Sequence, residues 1–355
     1  MKGVFQSRQA HIDLLKLIAS QLIVLHHFVA YGPLADALDI AATELTDWFY
    51  EYARMAVQIF LVLGGFLAAR SLANGGHNRT AFPWRPILLR YQRLVLPLLV
   101  ALCMAMISAA LVRPWLAGAF MPGVPTLAQV LAHSLLLQNV FGFDSLAAGI
   151  WYVAIDFQLF ALLVLLLWPG QNRVWRYAPV LGVMLASLFF FNLDEGWDSW
   201  GLYFFGAYGL GAATFWAVNS DKRGWRLILL ASVGWLALAF DFRLRIALAL
   251  VVALVLALAT LLNHKNSVTT PTKPHSPAPV RRMVHQLGHT SYALFLVHFS
   301  VLLLCNALFV YWRLTGALAA WIMLFGSWMA CMGMATLFER WVERPLTHLN
   351  FLDKK

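Results

Sequence analysis

Charged residues are scarce in this 355-residue chain: only 12% are Asp, Glu, Lys or Arg, whereas 61% are hydrophobic. A soluble domain usually carries about 25% charged residues, so the composition excludes an ordinary soluble globular protein. The three cysteines, Cys103, Cys305 and Cys331, lie in apolar stretches without paired spacing, so they indicate neither a disulfide framework nor a metal motif. The first apolar stretch lacks a small-residue cleavage site and contains Lys16. We therefore expect it to be retained and not removed as a signal peptide.

Long apolar runs dominate the rest of the sequence. A helix of about 20 apolar residues crosses a bilayer, and runs of that length predict ten spans. The ten spans are roughly 12–32, 48–70, 87–112, 148–168, 176–193, 199–218, 225–240, 243–263, 289–311 and 316–338. The seventh is short and is the least certain of them. The sequence thus predicts an all-α, polytopic membrane protein with about ten transmembrane helices.

The distribution of positive charge predicts how these helices are oriented. With the N-terminus inside, all but five of the 26 Lys and Arg residues fall in segments that face the cytoplasm, as the positive-inside rule requires. Both termini are then cytoplasmic. The five exceptions are Arg54, Arg113, Arg243, Arg245 and Arg313. The net charge of +10 therefore reflects topology, and we expect no nucleic-acid partner.

A single integral-membrane domain over residues 1–355 is the expected organisation. The stretch of about 263–284 is rich in Pro, Thr and Ser and predicts a flexible cytoplasmic linker between spans eight and nine. The first outer loop is acidic, with Asp36 and Asp39 among its residues. In the longest outer segment, 113–147, the stretch 126–140 could form a helix on or dipping into the membrane.

Ionisable side chains inside the spans are the first candidates for chemistry, because an Arg, Lys or Asp at the helix centre costs about 2.5–3.5 kcal/mol. At 1.5 Å per residue, His27 lies about 22 Å from the inner edge of span one, and Asp156 about 12 Å from the outer edge of span four. In a core about 30 Å thick the two fall in nearly the same layer. A carboxylate beside an imidazole suits a general base. The alternative is that both are buried packing residues.

Other polar and aromatic residues lie near that layer. Arg54 is close to the outer edge of span two, and His298 of span nine is somewhat nearer the inner side. Trp151 and Tyr152 adjoin Asp156, although aromatic residues at this level also serve as interface anchors. For His298, chemistry and packing remain equally open.

Two arginines mark the inner mouth of span three. Arg90 and Arg93 are three residues apart and so share one helix face. Guanidinium groups match phosphate oxygens in a bidentate manner. The pair therefore predicts either a binding site for a phosphate-bearing ligand from the cytoplasm or a topology anchor.

Six stretches, taken in order, resemble the acyltransferase-3 family of bacterial integral-membrane acyltransferases. The family's first helix carries Asp-Gly-Leu-Arg and, ten residues after the Arg, a His; here Lys16 and His27 occupy those two positions. Gly64 stands where Ser is common, and Asp156 where Glu is usual. The other five stretches are IFLVLGGFL (59–67), RYQRLVLP (90–97), WYVAIDFQLF (151–160), GHTSYALFLVHF (288–299) and ERWVERPL (339–346).

The resemblance implies an enzyme of the bacterial inner membrane. It would move an acyl group, usually acetyl, from cytoplasmic acyl-coenzyme A to a hydroxyl of a cell-envelope or exported saccharide, such as an exopolysaccharide or a lipid-linked saccharide. His27 would act as base or transient acyl carrier, and Asp156 would fill the acidic position.

The remaining expected roles concern the two substrates. Lys16, Arg90 and Arg93 would hold the coenzyme, and we assign Arg54, Trp151, Tyr152 and His298 to the acceptor side. Acetyl-coenzyme A would be a donor substrate, membrane lipids would surround the helices, and no metal is expected.

Two rival functions remain open. An intramembrane His and Asp could relay protons in a proton-coupled secondary transporter, which would favour inverted repeats and helices broken by Gly or Pro. Alternatively, the lysine and aspartate departures could mark a catalytically inactive scaffold of a glycan-assembly complex.

Overall fold

A computed structural model describes residues 10–73, 82–169, 176–269 and 279–347. Within these ranges the regular structure is helical, which confirms the all-α prediction. The α-helices are α1 (Ala10–Ala30), α2 (Pro33–Glu51), α3 (Val57–Ala73), α4 (Trp84–Val112), α5 (Leu127–Ser134), α6 (Ile150–Leu167), α7 (Ala178–Phe189), α8 (Gly201–Val218), α9 (Arg223–Phe240), α10 (Leu244–Thr269), α11 (Pro279–His289), α12 (Ser291–Tyr311), α13 (Ala317–Phe338) and α14 (Arg344–Thr347).

Nine segments of the described chain are long and apolar enough to cross a membrane. The protein is therefore polytopic, as predicted. The predicted fifth span, 176–193, is the exception, because α7 has only 12 residues and is about 18 Å long. The short seventh span, the least certain of the ten, is present as α9, which begins at Arg223 and has 18 residues. The inside–outside orientation stays a prediction.

The acidic segment before the second span is a helix and not a loop. Helix α2 starts after Gly32, which has φ 90°, with a proline in its first turn. Its apolar side chains Leu34, Ala35 and Leu38 are buried, at a spacing that gives the helix one buried face. A 3-10 turn, Ala53–Ala56, then leads into α3. The predicted span 48–70 is thus divided, and its regular helix begins at Val57.

Helices also cover both ends of the predicted linker of about 263–284. Helix α10 continues to Thr269, and α11 begins at Pro279. Residues 270–278 lie outside the described residues. The linker prediction therefore extended too far on each side, since composition alone does not show where a helix ends.

Part of the long outer segment is helical, as the stretch 126–140 suggested. Thr126 and Gln129 form a reciprocal capping box at the start of α5, which satisfies two backbone donors. On α5, Nδ1 of His133 donates to the Gln129 carbonyl (2.8 Å), and Nε2 accepts from the Leu146 N–H (3.2 Å). Burial lowers the pKa of His133. His133 is thus a neutral, structural residue of this segment.

The chain divides into two compact units. The first comprises Met1–Leu17, Val57–Leu88 and Ile155–Gly288. Helix α8 is its most buried span, and glycines allow close packing: a Cβ atom at Gly65 of α3 would overlap the carbonyl of Tyr208, and one at Gly211 would overlap that of Val62. Helices α3 and α8 therefore pack with their backbones in contact.

Two of the arginines on the predicted outer side have a structural role in this first unit. The Arg243 guanidinium is buried and donates to the Asn192 side chain and the Leu188 carbonyl, both at 2.9 Å. Arg245 donates to the Asn192 carbonyl at 2.7 Å. Cations are favourable at helix C-termini, so these arginines stabilise the end of α7 against the positive-inside trend.

The second unit comprises Ile18–Ala56, Leu89–Ala154 and His289–Lys355. Its most buried span is α12, which packs on α13 and α2. Trp328 of α13 donates from its indole N–H to Oε1 of Gln21 on α1 (2.7 Å), so a partly buried polar contact also joins α1 to α13. This unit holds the residues of the candidate site.

Candidate active site

A pair of hydrogen-bonded histidines lies at the centre of the second unit. Nδ1 of His27 on α1 is 2.7 Å from Nε2 of His298 on α12. The two rings are nearly parallel, with an angle of 8° between them and centroids 4.7 Å apart. His27 is 7% exposed and His298 is 0% exposed. The sequence predicted both residues for the site, but not that they would bind each other.

Backbone carbonyls determine where the protons of this pair lie. Nδ1 of His298 faces the carbonyls of Phe295 (2.8 Å) and Leu294 (3.3 Å). A carbonyl only accepts, so in the neutral pair Nδ1 of His298 carries the proton and Nε2 has the lone pair. His27 must then donate from its own Nδ1. Nε2 of His27 is left with a lone pair, as a base or nucleophile requires.

The loop before α6 passes close to the His27 ring at Gly149. Gly149 has φ 85°, and a Cβ atom there would lie 2.9 Å from Cζ of Phe295 and 3.6 Å from Cε1 of His27. The ring of Tyr152 meets Phe295 edge-on at 5.7 Å, and Trp151 meets Tyr152 at 6.2 Å. The predicted residues Trp151 and Tyr152 therefore lie behind Phe295, one layer from the histidines.

The neighbouring His26 points elsewhere. Its Nδ1 is 3.3 Å from the carbonyl of Phe49 at the end of α2, and its ring lies 5.7 Å from that of Tyr50. The predicted acceptor residue Arg54 is exposed, donates to the Glu51 carbonyl (3.2 Å) and lies within electrostatic range of His26. Arg54 thus belongs with His26 and the end of α2.

The predicted acid, Asp156, belongs to the first unit, whereas His27 belongs to the second. Asp156 is 7% exposed. A Cβ atom at Gly64 would lie 3.7 Å from its Oδ1 and 3.1 Å from Cε2 of Tyr208. The glycine that replaces the common Ser thus adjoins the acid and leaves space for the tyrosine. The pairing of Asp156 with His27 stays a prediction.

The start of α1 has its own polar contact in the first unit. Oδ2 of Asp13 is 2.8 Å from Nδ1 of His285 on α11, and a Cβ atom at Gly288 would come within 2.8 Å of the Asp13 carbonyl oxygen. Asp13 is 6% exposed, and half-buried Lys16 follows one turn later. The contact between α11 and Asp13 fixes the helix turn that presents Lys16.

The two predicted coenzyme-binding arginines lie in the second unit on α4. Arg90 is half-buried and Arg93 is exposed. Two tyrosines hold this part of the helix: Tyr91 donates to the Ser134 carbonyl (2.7 Å), and Tyr292 donates to the Leu94 carbonyl (2.9 Å). The arginines therefore project from a helix turn that is fixed on both sides.

Comparison with known families identifies the chain. A family described as an acyltransferase domain matches residues 9–337, nearly the whole chain and all the predicted site residues. The chain belongs to the acyltransferase-3 family. It is a multi-pass membrane acyltransferase. Membership of this family favours acyl transfer over the rival function of a proton-coupled transporter. Neither the curated proteins nor the solved structures contain a match to this acyltransferase.

Sequence reasoning missed several residues that shape the site. Among the described residues, no group of three or more His, Cys, Asp or Glu side chains is placed to hold a metal ion. The missed residues are Tyr31, Asn306 and His285. The ring of Tyr31 stacks on His27 at 5.6 Å. One signal for them was available, since a buried Asp13 or a polar Asn306 in an apolar helix needs a partner.

Substitution of Gly149 tests the close packing around His27. Gly149→Ala should lower the free energy of unfolding, because its Cβ atom would collide with Phe295 in addition to the strain at positive φ. Overpacking of this kind costs about 1–3 kcal/mol. The measurement is unfolding of the detergent-solubilised protein in increasing dodecyl sulfate.

Gly142→Ala is the matched control. Gly142 also has a positive φ, 68°, but nothing lies within 4 Å of a Cβ atom there, so this variant carries the backbone strain alone. Equal losses of stability in the two variants would contradict the close approach of Gly149 to the Phe295 ring.

Proposed function

We propose that this acyltransferase moves an acyl group, acetyl in the main case, from cytoplasmic acyl-coenzyme A to a hydroxyl of a cell-envelope or exported saccharide. The observation that carries the proposal is the hydrogen bond from His27 to His298, because it leaves the lone pair of His27 Nε2 for chemistry. Family membership supports acyl transfer as the reaction class.

In the general-base route, Nε2 of His27 removes the proton of the acceptor hydroxyl. The acceptor oxygen attacks the thioester carbonyl carbon, the C–O bond forms, and the C–S bond breaks. The imidazolium then gives its proton to the departing coenzyme thiolate, so the proton and the electron pairs balance. His298 acts as a positioning residue, because it fixes the tautomer and the ring plane of His27.

In the acyl-carrier route, the same lone pair attacks the thioester directly. Nε2 of His27 takes the acyl group as the C–S bond breaks, so coenzyme A leaves as the thiolate and an acyl-imidazolium remains. The acceptor hydroxyl then attacks the acyl carbon, the C–N bond to Nε2 breaks, and the hydroxyl proton goes to the coenzyme thiolate. Both routes need Nε2 unprotonated, so the histidine pair supports both. We assign Asp156 the role of stabilising the positive charge that His27 develops in either route.

On the donor side, we propose that Lys16, Arg90 and Arg93 hold the coenzyme phosphates. The fixed turn of α4 gives the two guanidinium groups a defined direction, and arginine forms paired hydrogen bonds with phosphate. Lysine presents a point charge and cannot reproduce a bidentate contact. Lys16 therefore supplies attraction with less geometric control than the arginine usual at this position.

On the acceptor side, we propose contacts from Arg54, Trp151 and Tyr152 to a saccharide or lipid-linked saccharide. We no longer assign His298 to the acceptor side, because its ring is fully buried and both ring nitrogens form hydrogen bonds, one with His27 and one with the α12 carbonyls. The proposed location is the inner membrane of a bacterium, among membrane lipids and without a nucleic-acid partner.

Substitution of the histidines tests the proposed function. The variants are expressed in cells that lack their own copy of the enzyme, and the acetyl content of the surface saccharide is measured. His27→Ala should lower the rate of acetyl transfer by about 10²- to 10⁴-fold, as loss of a general base does, and the acetyl content should fall with it. His298→Leu should also lower it. His298→Gln should keep part of the acetylation, because the glutamine Oε1 can accept a hydrogen bond from Nδ1–H of His27.

His26→Ala is the control, since His26 bonds to Phe49 and not to His298, and it should keep most of the activity. Protein levels in the membrane are measured for every variant. Unchanged acetylation in His27→Ala at normal protein level would refute the catalytic role, and no acetylation by the unsubstituted protein would indicate the inactive scaffold.

Coenzyme binding tests the donor side without an acceptor. Arg93→Ala should weaken binding of coenzyme A by about 10- to 100-fold, since a hydrogen bond to a charged group contributes about 1.5–3 kcal/mol. Lys16→Arg should tighten it. The measurement is calorimetric titration of the purified protein, with Arg226→Ala as the control for loss of an exposed, predicted cytoplasmic arginine.

Pantetheine, which lacks the nucleotide phosphates, should bind equally to the unsubstituted protein and to Arg93→Ala. If Arg93→Ala and Arg226→Ala weaken coenzyme A binding to the same extent, Arg93 does not contact the phosphates.

A further inference from the structure

An open cleft lies in the second unit, directly beyond the end of α1. Its volume is about 430 Å³, within the range of small-molecule sites. The walls are the turn from α1 to α2 and the segment after α4, with Tyr31, Gly32 and Asp36 on one side and Ala117, Ala119 and Phe120 on the other. None of these residues was predicted as part of the site.

One side chain connects the cleft to the catalytic pair. Tyr31 lines the cleft, and its ring stacks on that of His27 at 5.6 Å with an angle of 27°. His298 meets the same imidazole at its Nδ1 edge, through the 2.7 Å hydrogen bond. A molecule seated against Tyr31 is therefore one aromatic ring away from the candidate base.

The wall that carries Tyr31 is held in place by a buried side chain. Oδ1 of Asn306, which is 0% exposed, accepts from the Leu34 N–H (2.9 Å), and its amide donates to the Tyr31 carbonyl (3.4 Å). Gly32 has φ 90°, and a Cβ atom there would lie 2.6 Å from Asn306. This turn is thus specified by α12, the helix that also supplies His298.

The lining indicates the chemistry of the ligand. Tyr31 and Phe120 offer aromatic rings against which the apolar face of a sugar can pack, the small Ala and Gly side chains leave width, and the exposed carboxylate of Asp36 accepts hydrogen bonds from hydroxyl groups. Among the described lining residues, Asp36 alone carries a formal charge. The carboxylate of Asp36 would repel a negatively charged ligand there.

We propose that this cleft is the acceptor subsite, and that it binds an uncharged, hydroxyl-rich sugar unit before that unit moves to His27. The assignment as acceptor subsite rests on the proposed function, whereas the binding of a neutral sugar does not. Asp36 disfavours uronate or phosphate-bearing units relative to neutral ones. The cleft selects the sugar, and the histidine pair acylates it.

Protection from cysteine labelling tests the subsite. Ala119→Cys, in a Cys103→Ser background, is exposed to a membrane-impermeant polyethylene-glycol maleimide added to cells or proteoliposomes. Methyl β-D-glucopyranoside at about ten times its Kd should slow the labelling about tenfold, because only the free protein reacts. Methyl β-D-glucuronide, which has nearly the same size and a negative charge, should give little protection.

Two control variants separate the cleft from its surroundings. Val124→Cys lies in the same outer segment, is 75% exposed in the parent chain and lies outside the cleft lining, so the glucoside should leave its labelling unchanged. Asp36→Asn should remove the discrimination between the two glycosides, whereas Glu44→Gln, an exposed carboxylate further along α2, should preserve it.

The outcomes distinguish this proposal from the proposed function, because the labelling is repeated in His27→Ala and needs no acyl transfer. Protection by the glucoside and not by the glucuronide supports the subsite, even if the protein transfers no acetyl group. Lack of protection by the glucoside, or equal protection by both glycosides, overturns it, even if acetyl transfer is normal.

Discussion

The hydrogen bond between His27 and His298 is the contact on which the rest of the candidate site depends. Two imidazoles buried among apolar helices must satisfy four ring nitrogens without bulk water. Nδ1 of His298 donates to the α12 carbonyls, and Nδ1 of His27 donates to Nε2 of His298. A single nitrogen, Nε2 of His27, remains for chemistry. Helix geometry thus determines which atom of the pair can react.

Helix α12 also organises the surroundings of that nitrogen. It supplies Phe295, which Gly149 approaches closely, and Asn306, which fixes the turn that carries Tyr31. Because these side chains come from one buried helix, the base, the tyrosine beside it and the wall of the adjoining cleft are positioned together. The shape of the cleft and the orientation of the candidate base are therefore coupled through packing, and a change in α12 should affect both.

Much of the fold could be predicted from sequence, because long apolar runs report directly on the helices that cross a bilayer. The short α7 escaped prediction because an apolar run does not reveal that it breaks into a 3-10 turn after Phe189. His27 and His298 were found as separate polar residues. Their pairing was not, because contacts between residues 271 positions apart leave no local pattern, and depth matching favoured Asp156 instead.

The tautomer of His27 is the most direct test of this account. Nitrogen-15 NMR of histidine-labelled protein in bilayers distinguishes protonated from unprotonated ring nitrogens, and the spectra of His27→Ala and His298→Gln assign the two signals by difference. The account predicts protonated Nδ1 and unprotonated Nε2 on both residues. A His27 signal with Nε2 protonated and Nδ1 unprotonated would contradict it, since the candidate base would then have no lone pair to offer a substrate.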